Sequence, residues 1–246
     1  MILVLADAHL PHAPHLKTHP GWRDLQRLLQ MLDTGDALWT LGDLFDCWIE
    51  YGGGRYPRHY APVVEALLES HRRGVQITLI PGNHDAWMYE FWPRQGLRVA
   101  RGPVRTAFFG VSVLLAHGHE WPRPSWYQAA LTHPGAVGLY RRLVPEDWGL
   151  WIAARIASLL RARGEEPDQN LRDPRYRAAW MLAASRRVQH VICAHTHRPK
   201  RLPLPYGGWY WNTGAWMHTR TLLVWDESGP RLCRWSMSGL KPWGLE

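Results

Sequence analysis

The stretch from Ile2 to His9, ILVLADAH, decides the fold: five apolar residues are followed at once by an aspartate and, two positions on, by a histidine. An apolar run of this length stopped by a polar ligand is how a buried strand delivers a side chain to the carboxyl edge of a sheet. The arrangement recurs along the chain. Asp43 follows ALWTLG, Asn83 follows VQITLIPG, His117 follows VSVLLA, and His195 and His197 follow HVICA. Taken singly, each is an ordinary cap or turn residue. Five such clusters with mixed nitrogen and oxygen donors and no Cys read as a metal-centred active site.

The donor set narrows the metal. Neutral imidazole suits Zn, Mn and Fe, while carboxylate and amide oxygens favour the harder members of the series. Mn is therefore the expected ion, with Fe or Zn as alternatives. Seven side chains are too many for one ion and suffice for two if one carboxylate bridges. Asp43 is the natural bridge, being the lone ligand of its cluster. Two divalent ions about 3.5–4 Å apart form the clamp used on phosphoryl centres.

Around these clusters the first half alternates strand and helix. A strand at 1–6 leads to a helix near 21–33, where Trp22, Leu25, Leu28, Leu29 and Leu32 fall at helical spacing. A strand at 36–41, a helix near 61–72 and a strand at 75–80 follow, then a hairpin of 103–109 and 111–116 around Gly110. This alternation predicts a layered α/β domain. His12, His15, His19 and His59 lie in the intervening loops and read as surface histidines.

From Glu120 to Gln189 the pattern turns wholly helical, in four stretches broken by His-Pro, Val-Pro and Arg-Gly. The third starts at Pro145, carries Glu146 and Asp147 in its first turn and Arg161 and Arg163 in its last, and so complements the helix dipole. Residues 120–189 hold 11 Arg, no Lys and 7 acids, a net charge of +4. Lying between two ligand clusters, this segment is expected to form a helical cap beside the metals, inserted into a core of 1–119 and 190–246. Strands resume at 190–194, in a ribbon through Leu202 and Trp209 to Trp211, and at 219–226 and 231–236. The block WNTGAW, Trp211 to Trp216, predicts a turn near the metals, with Gly214 allowing close backbone approach.

Five motifs carry a resemblance. DAH (Asp7 to His9), GDLFD (Gly42 to Asp46), GNHD (Gly82 to Asp85), HGH (His117 to His119) and AHTHRP (Ala194 to Pro199) resemble, in order, the signature blocks of the calcineurin-like metallophosphoesterases. They span nearly the whole chain. The resemblance implies two mixed β-sheets flanked by helices. It also implies a first metal held by Asp7, His9, Asp43 and His197, and a second held by Asp43, Asn83, His117 and His195. His84 would be the catalytic histidine and Asp46 the carboxylate that orients it, an arrangement that chemistry also favours.

Within that superfamily the chain is most similar to the UDP-2,3-diacylglucosamine pyrophosphohydrolases. The similarity lies in GDLFD followed by CWIEY (Cys47 to Tyr51), in HTHRP, and in the Arg-rich helical insertion. It implies that the insertion shelters acyl chains while the metals act on a pyrophosphate, with His119, Arg198, Trp151, Ile152 and Arg155 contacting substrate. Two features depart from the best-studied members, which carry Arg where His84 stands and an acidic HGD block in place of His117 to Glu120. The expected substrate is a phosphorylated amphipathic molecule. The alternatives are soluble phosphodiesters or phosphomonoesters, or a scaffold of the same fold without catalysis.

Composition agrees with an anionic partner: 29 Lys and Arg against 21 Asp and Glu give a formal charge of +8. No basic-aromatic motif supports nucleic acid as that partner, and no obligate protein partner is expected. The chain opens directly on a strand, no run approaches 18 apolar residues, and three Cys show no paired spacing. The expected location is therefore the cytoplasm, peripherally on the inner face of the cell membrane.

Overall fold

The computed structural model describes residues 1–11, 15–121, 133–145, 148–149, 152, 173–185 and 187–244. Its centre is a pair of stacked sheets. Strands β1 (Ile2–Leu5), β2 (Ala37–Leu41), β3 (Gln76–Ile80) and β4 (Arg98–Val99) run parallel and in sequence order, and β1 also pairs antiparallel with β10 (Thr221–Asp226). Strands β11 (Gly229–Ser236) and β12 (Gly239–Pro242) extend that edge to make seven strands in the order β12-β11-β10-β1-β2-β3-β4. The second sheet has five, in the order β5 (Val104–Phe108), β6 (Val111–Leu115), β7 (His190–Cys193), β9 (Trp209–Asn212), β8 (Lys200–Pro203). Both sheets mix parallel and antiparallel pairs, as the resemblance implied.

Period-two side-chain alternation explains why the central strands are apolar on both faces. In and just after β1, Val4 and Ala6 point into the layer between the sheets, while Leu3 and Leu5 point to the helices outside. Ile192 and Ala194 likewise join the inter-sheet layer from the second sheet, where Trp211 and Leu115 also lie, and Val191 and Cys193 face outward. Helices α1 (Pro20–Met31) and α2 (Ala61–Arg72) cover the first sheet through Trp22, Leu25, Leu28, Val63, Val64 and Leu67. The result is a four-layer helix–sheet–sheet–helix stack with the parallel strands at its heart.

The outer layer on the second sheet comes from the segment that the sequence assigned to the cap. Helix Pro174–Ala184 packs Tyr176, Ala179 and Ala183 against Leu114, Val191, Cys193 and Tyr210. This last of the four predicted helices is thus part of the layered body. Its start was legible: Asp173 caps the helix, its Oδ1 accepting from Arg175 N at 2.9 Å. Helix Pro134–Leu143 forms where AVGLYRRLV predicts it. The other two predicted helices fall almost wholly outside the described residues.

The short elements without a sequence forecast are the strands β4 and β12, the 3-10 turns His15–Thr18, Arg58–Tyr60 and Pro205–Gly207, and the helical turns Phe91–Arg94 and Trp216–Thr219. The last of these delays β10, which starts at Thr221 because Arg220 adopts a left-handed φ of 56°. The three cysteines are free and buried. Among the described residues no helix is long and apolar enough to cross a membrane.

Candidate metal centre

The parallel strands β1, β2, β3, β6 and β7 end at a common edge, and each is followed by one of the sequence-predicted ligand clusters. Backbone bonds lock the edge: Asp7 N donates to Gly42 O at 3.1 Å and His9 N to Asp43 O at 2.9 Å. The turn Trp216–Thr219 backs onto the same place, Met217 N donating to Asp7 O at 3.0 Å. The predicted WNTGAW turn therefore lies beside the centre, and Gly214 (φ 71°) has no room for a Cβ, which would meet Pro199 Cδ at 2.9 Å.

Asp7, His9, Asp43, His195 and His197 all have positive φ, between 39° and 70°. L-residues rarely adopt this region, and doing so in number marks a site where surrounding structure imposes the geometry. Gly42 and Gly82 make the approach possible. A Cβ on Gly42 would lie 2.3 Å from His117 Nδ1, and one on Gly82 would lie 2.1 Å from Asp43 Oδ1.

Three groupings of donor atoms lie within 4.8 Å of one another: Asp7, His9 and His197; Asp43, His117 and His195; and, between them, His9, Asp43 and His84. Asp43 Oδ2 stands 3.8 Å from His9 Nε2 and 3.3 Å from His117 Nε2, so one oxygen faces both outer groups. Asn83 joins the second through Oδ1, 3.2 Å from His117 Nε2. His117 Nδ1 donates to Leu41 O at 2.7 Å, which turns Nε2 toward the centre. Asp7 Oδ1 and His9 Nε2 are buried with no hydrogen-bond partner. Buried polar atoms of a ligating type left in this way fit a divalent cation, and the mixed N/O donors suit Mn, Fe or Zn.

Asp46 meets His84 through its backbone. Its carboxylate Oδ1 lies 3.3 Å from His9 Nδ1, on the far side of a ligand ring. His84 Nδ1 instead donates to the Asp46 backbone carbonyl at 3.1 Å. The loop explains the exchange: Asp46 N bonds Leu10 O at 3.1 Å, drawing the carboxylate toward the strand-1 loop that carries His9. His84 also donates its backbone N–H to Asp43 Oδ1 at 2.9 Å, and its ring stands edge-on to His9 at 4.8 Å.

Sequence reading assigned no role to several groups that build this edge. Asp85 is buried, and its carboxylate accepts from Gly82 N at 2.7 Å, Leu44 N at 2.8 Å and Asp43 N at 3.2 Å, tying the GDLFD loop to the GNHD loop. Buried Arg175 donates from Nε to Gly118 O at 3.0 Å and holds the HGH loop. Glu120 Oε2 accepts from Gly118 N at 2.6 Å and lies 3.8 Å from His119 Nδ1. Behind the GDLFDCWIEY loop, Phe45, Trp48 and Trp92 stack at 4.5–6.3 Å, which uses two of the chain's 16 tryptophans. Glu50, fully buried, accepts from Trp48 Nε1 at 3.1 Å and from Phe91 N at 3.0 Å.

Among the sequence-predicted substrate contacts, His119 lies beside the centre, its ring 5.3 Å from His117. Arg198, half-buried, follows His197 on the same loop, and Ile152 is half-buried and helical. Trp151 and Arg155 lie outside the described residues.

Electrostatics within the cluster are sharply divided. Burial opposes charge on His117, yet Asp43, by charge and by hydrogen bond, together with Asp7, pushes its pKa up to about 10. Burial and the neighbouring His117 push His195 down to about 3. Asp43 is held well below the usual carboxylate range, because His117 and His84 outweigh its burial. Asp85 moves the other way, to about 6, through burial and repulsion by Asp43.

The calcineurin-like phosphoesterase family model matches residues 1–199, most of the chain and all five ligand clusters. The chain belongs to the calcineurin-like phosphoesterase family. Like other members, it is a metal-dependent phosphoesterase that uses divalent metals. Similar proteins include the UDP-2,3-diacylglucosamine hydrolase of Nitrosococcus oceani, 29% identical over 79% of this chain and 78% of that protein. That of Aeromonas salmonicida is 28% identical over 85% and 84%, and that of Shewanella pealeana 26% identical over 84% and 89%.

The divided electrostatics make metal loading pH-dependent. Coordination needs neutral His117, but without metal this residue keeps its proton up to about pH 10. An ion bound there would displace that proton, so log K should rise by about one unit per pH unit as pH approaches 10 and level off above it. His195 is already neutral in this range and adds no proton. Calorimetric titration with Mn²⁺ in buffers of different ionisation enthalpy counts the release directly. A count near one is expected at the Asp43 side, and a count of zero would contradict the assignment.

Proposed function

We propose that the centre holds two divalent ions, Mn being the expected metal, and hydrolyses the pyrophosphate of a nucleotide-linked lipid of the UDP-2,3-diacylglucosamine kind. The observation that carries the two-ion reading is Asp43 Oδ2, placed between His9 Nε2 at 3.8 Å and His117 Nε2 at 3.3 Å. Asp7, His9, Asp43 and His197 would hold one ion, and Asp43, Asn83, His117 and His195 the other. Bound there, the metals supply Lewis acidity to the phosphoryl oxygens and an activated water for in-line attack.

The chain's own side chains do the rest. Asp85 and the backbone bonds fix the two ligand loops against each other, so little reorganisation accompanies reaction. His84, positioned through the Asp46 carbonyl and Asp43 Oδ1, offers Nε2 to the departing oxygen as proton donor or as a cation opposite the developing charge. His119 and Arg198 would meet phosphate.

The lipid part of the reading is supported by the relatives' activity and by the helix Pro134–Leu143. Tyr140 packs edge-on to Trp87 at 5.2 Å, next to Cys47, Ile49 and Tyr51, which sets the helix over the loops that follow Asp43 and Asn83. Its Leu139 and Leu143, with Trp148 beyond, are 58–69% exposed. Apolar surface at the mouth of a phosphoryl site suits acyl chains, each buried methylene being worth about 0.8 kcal/mol. The same surface suits peripheral contact with the inner membrane face.

The test compares UDP-2,3-diacylglucosamine, its deacylated counterpart and bis(p-nitrophenyl) phosphate with the Mn-loaded protein. Acylation should raise kcat/KM at least roughly tenfold, the equivalent of fewer than two buried methylenes. Equal rates on acylated and deacylated substrates would remove the lipid reading and leave a phosphodiesterase for soluble substrates.

A further inference from the structure

Behind the HGH loop stands an arginine that water scarcely reaches. Arg175, in the first turn of the helix Pro174–Ala184, is 2% exposed, and its neighbour Asp173 is 7% exposed. Taking a guanidinium out of water is costly even when it is paired, and a buried pair is weak evidence of stability by itself. The contacts of Arg175 give it another role. Nε donates to Gly118 O at 3.0 Å, across 57 positions, while Nη1 donates to Asp173 Oδ1 at 3.3 Å. A planar fork can serve both acceptors at once, and Asp173 offsets the charge that would otherwise stand near a cation site.

Gly118 lies between His117 and His119 with a φ of 116°. Both of its backbone groups are engaged: the N–H by Glu120 Oε2 at 2.6 Å, the carbonyl by Arg175. A Cβ on Gly118 would stand 3.3 Å from His195 Cβ and 3.4 Å from Arg175 Cδ, so the arginine stem and His195 close on the same glycine. Ala194 N donates to His117 O at 2.9 Å and joins the two histidine loops. His117 is thus pinned at its ring by Leu41 O and at its backbone through Gly118.

The other donor group is braced by different residues. Met217 N donates to Asp7 O at 3.0 Å, and the Asp46 carboxylate lies 3.3 Å from His9 Nδ1. Outer-shell partners of this kind orient ligands and tune the affinity of the metal they surround. With separate braces, the two sides of the centre can be tuned separately.

We propose that Arg175 is a positioning residue for one metal ion only. By fixing Gly118 it sets the direction of His117 and the packing of His195, and with them the affinity of the ion on the Asp43, Asn83, His117 and His195 side. The proposal rests on the two-ion reading of the centre and adds a residue that tunes one ion without the other.

The experiment measures Mn²⁺ binding by calorimetry for Arg175→Met in two backgrounds that each leave one donor group whole. His197→Ala leaves the group containing His117, and His117→Ala leaves the group containing His197. In the His197→Ala background Arg175→Met should weaken the ion by about 10–100-fold, and in the His117→Ala background by less than about twofold. Melting curves of the metal-free proteins confirm the fold. If Arg175→Met does not fold, Arg175→Lys carries the same comparison. It keeps the charge and a donor for Gly118 O but not the fork, so the same one-sided loss should be smaller. Equal weakening in both backgrounds would make Arg175 a general support of the fold, and no weakening in either would leave it without a part in metal binding; both overturn the proposal while the two-ion reading stands. Absence of binding in the His117→Ala background alone would remove the two-ion reading and leave Arg175 to be judged in the other. Absence of binding in the His197→Ala background would overturn both.

Discussion

Asp43→Ala is expected to abolish turnover and to lower bound metal from two ions per chain toward one or none. Among the described residues, Asp43 is the side chain that faces both outer donor groups. Its Oδ2 faces His9 and His117, and its Oδ1 accepts the backbone N–H of His84 at 2.9 Å. Groups that merely support a metal ligand typically cost about 10–100-fold in affinity or activity when removed. Loss of a shared ligand should exceed that at both positions. Metal analysis after gel filtration, alongside turnover, checks the result, and two tightly held ions in the variant would rule out bridging. Asp43→Asn is the control for position: it keeps oxygen near His84 N while removing the charge, so a metal deficit there isolates the electrostatic part.

Most of the sheet scaffold was legible because it obeys two simple periods. Strands buried on both faces read as unbroken apolar runs, and the ligand after each run marked where the strand ends. β1, β2, β3, β6 and β7 were found this way, as was α1 from Trp22, Leu25, Leu28 and Leu29. Elements set by tertiary contact escaped. The two residues of β4 carry no period, and the turn at Trp216–Thr219 ends with Arg220 in a left-handed conformation that no local pattern announces. The helix Pro174–Ala184 was found as a helix, yet its partner was not, since little in Tyr176, Ala179 and Ala183 distinguishes a sheet-covering face from a cap.

In the site, residue types and spacing led to the ligand clusters but not to their supports. Asp85 was visible inside GNHD, but only the structure shows its carboxylate reaching back to the N–H groups of Asp43 and Leu44. Arg175 is separated from Gly118 by 57 positions, a link beyond any local signal. The backbone contact of Asp46 was hidden for a related reason. Side chain and carbonyl leave the same residue in different directions, and the resemblance could not say which of them His84 would meet.

His84→Ala should keep both metals and lose about 10²–10⁴-fold in turnover of a substrate with a poor leaving group. The ring donates through Nδ1 to the Asp46 carbonyl, which leaves Nε2 for the substrate. If Nε2 delivers a proton, p-nitrophenolate, which departs without one, should leave from the variant at a near-normal rate. Equal losses on aryl and alkyl esters would instead assign His84 to stabilising charge on the phosphoryl group, and no loss on either would take it out of the chemistry. Asp46→Asn sharpens the comparison. Because the Asp46 carboxylate lies 3.3 Å from His9 Nδ1 and its backbone carbonyl accepts from His84, this variant should weaken metal binding and keep the wild-type dependence on leaving group. If Asp46→Asn reproduced the leaving-group defect of His84→Ala at saturating Mn²⁺, the carboxylate would have to orient His84 after all.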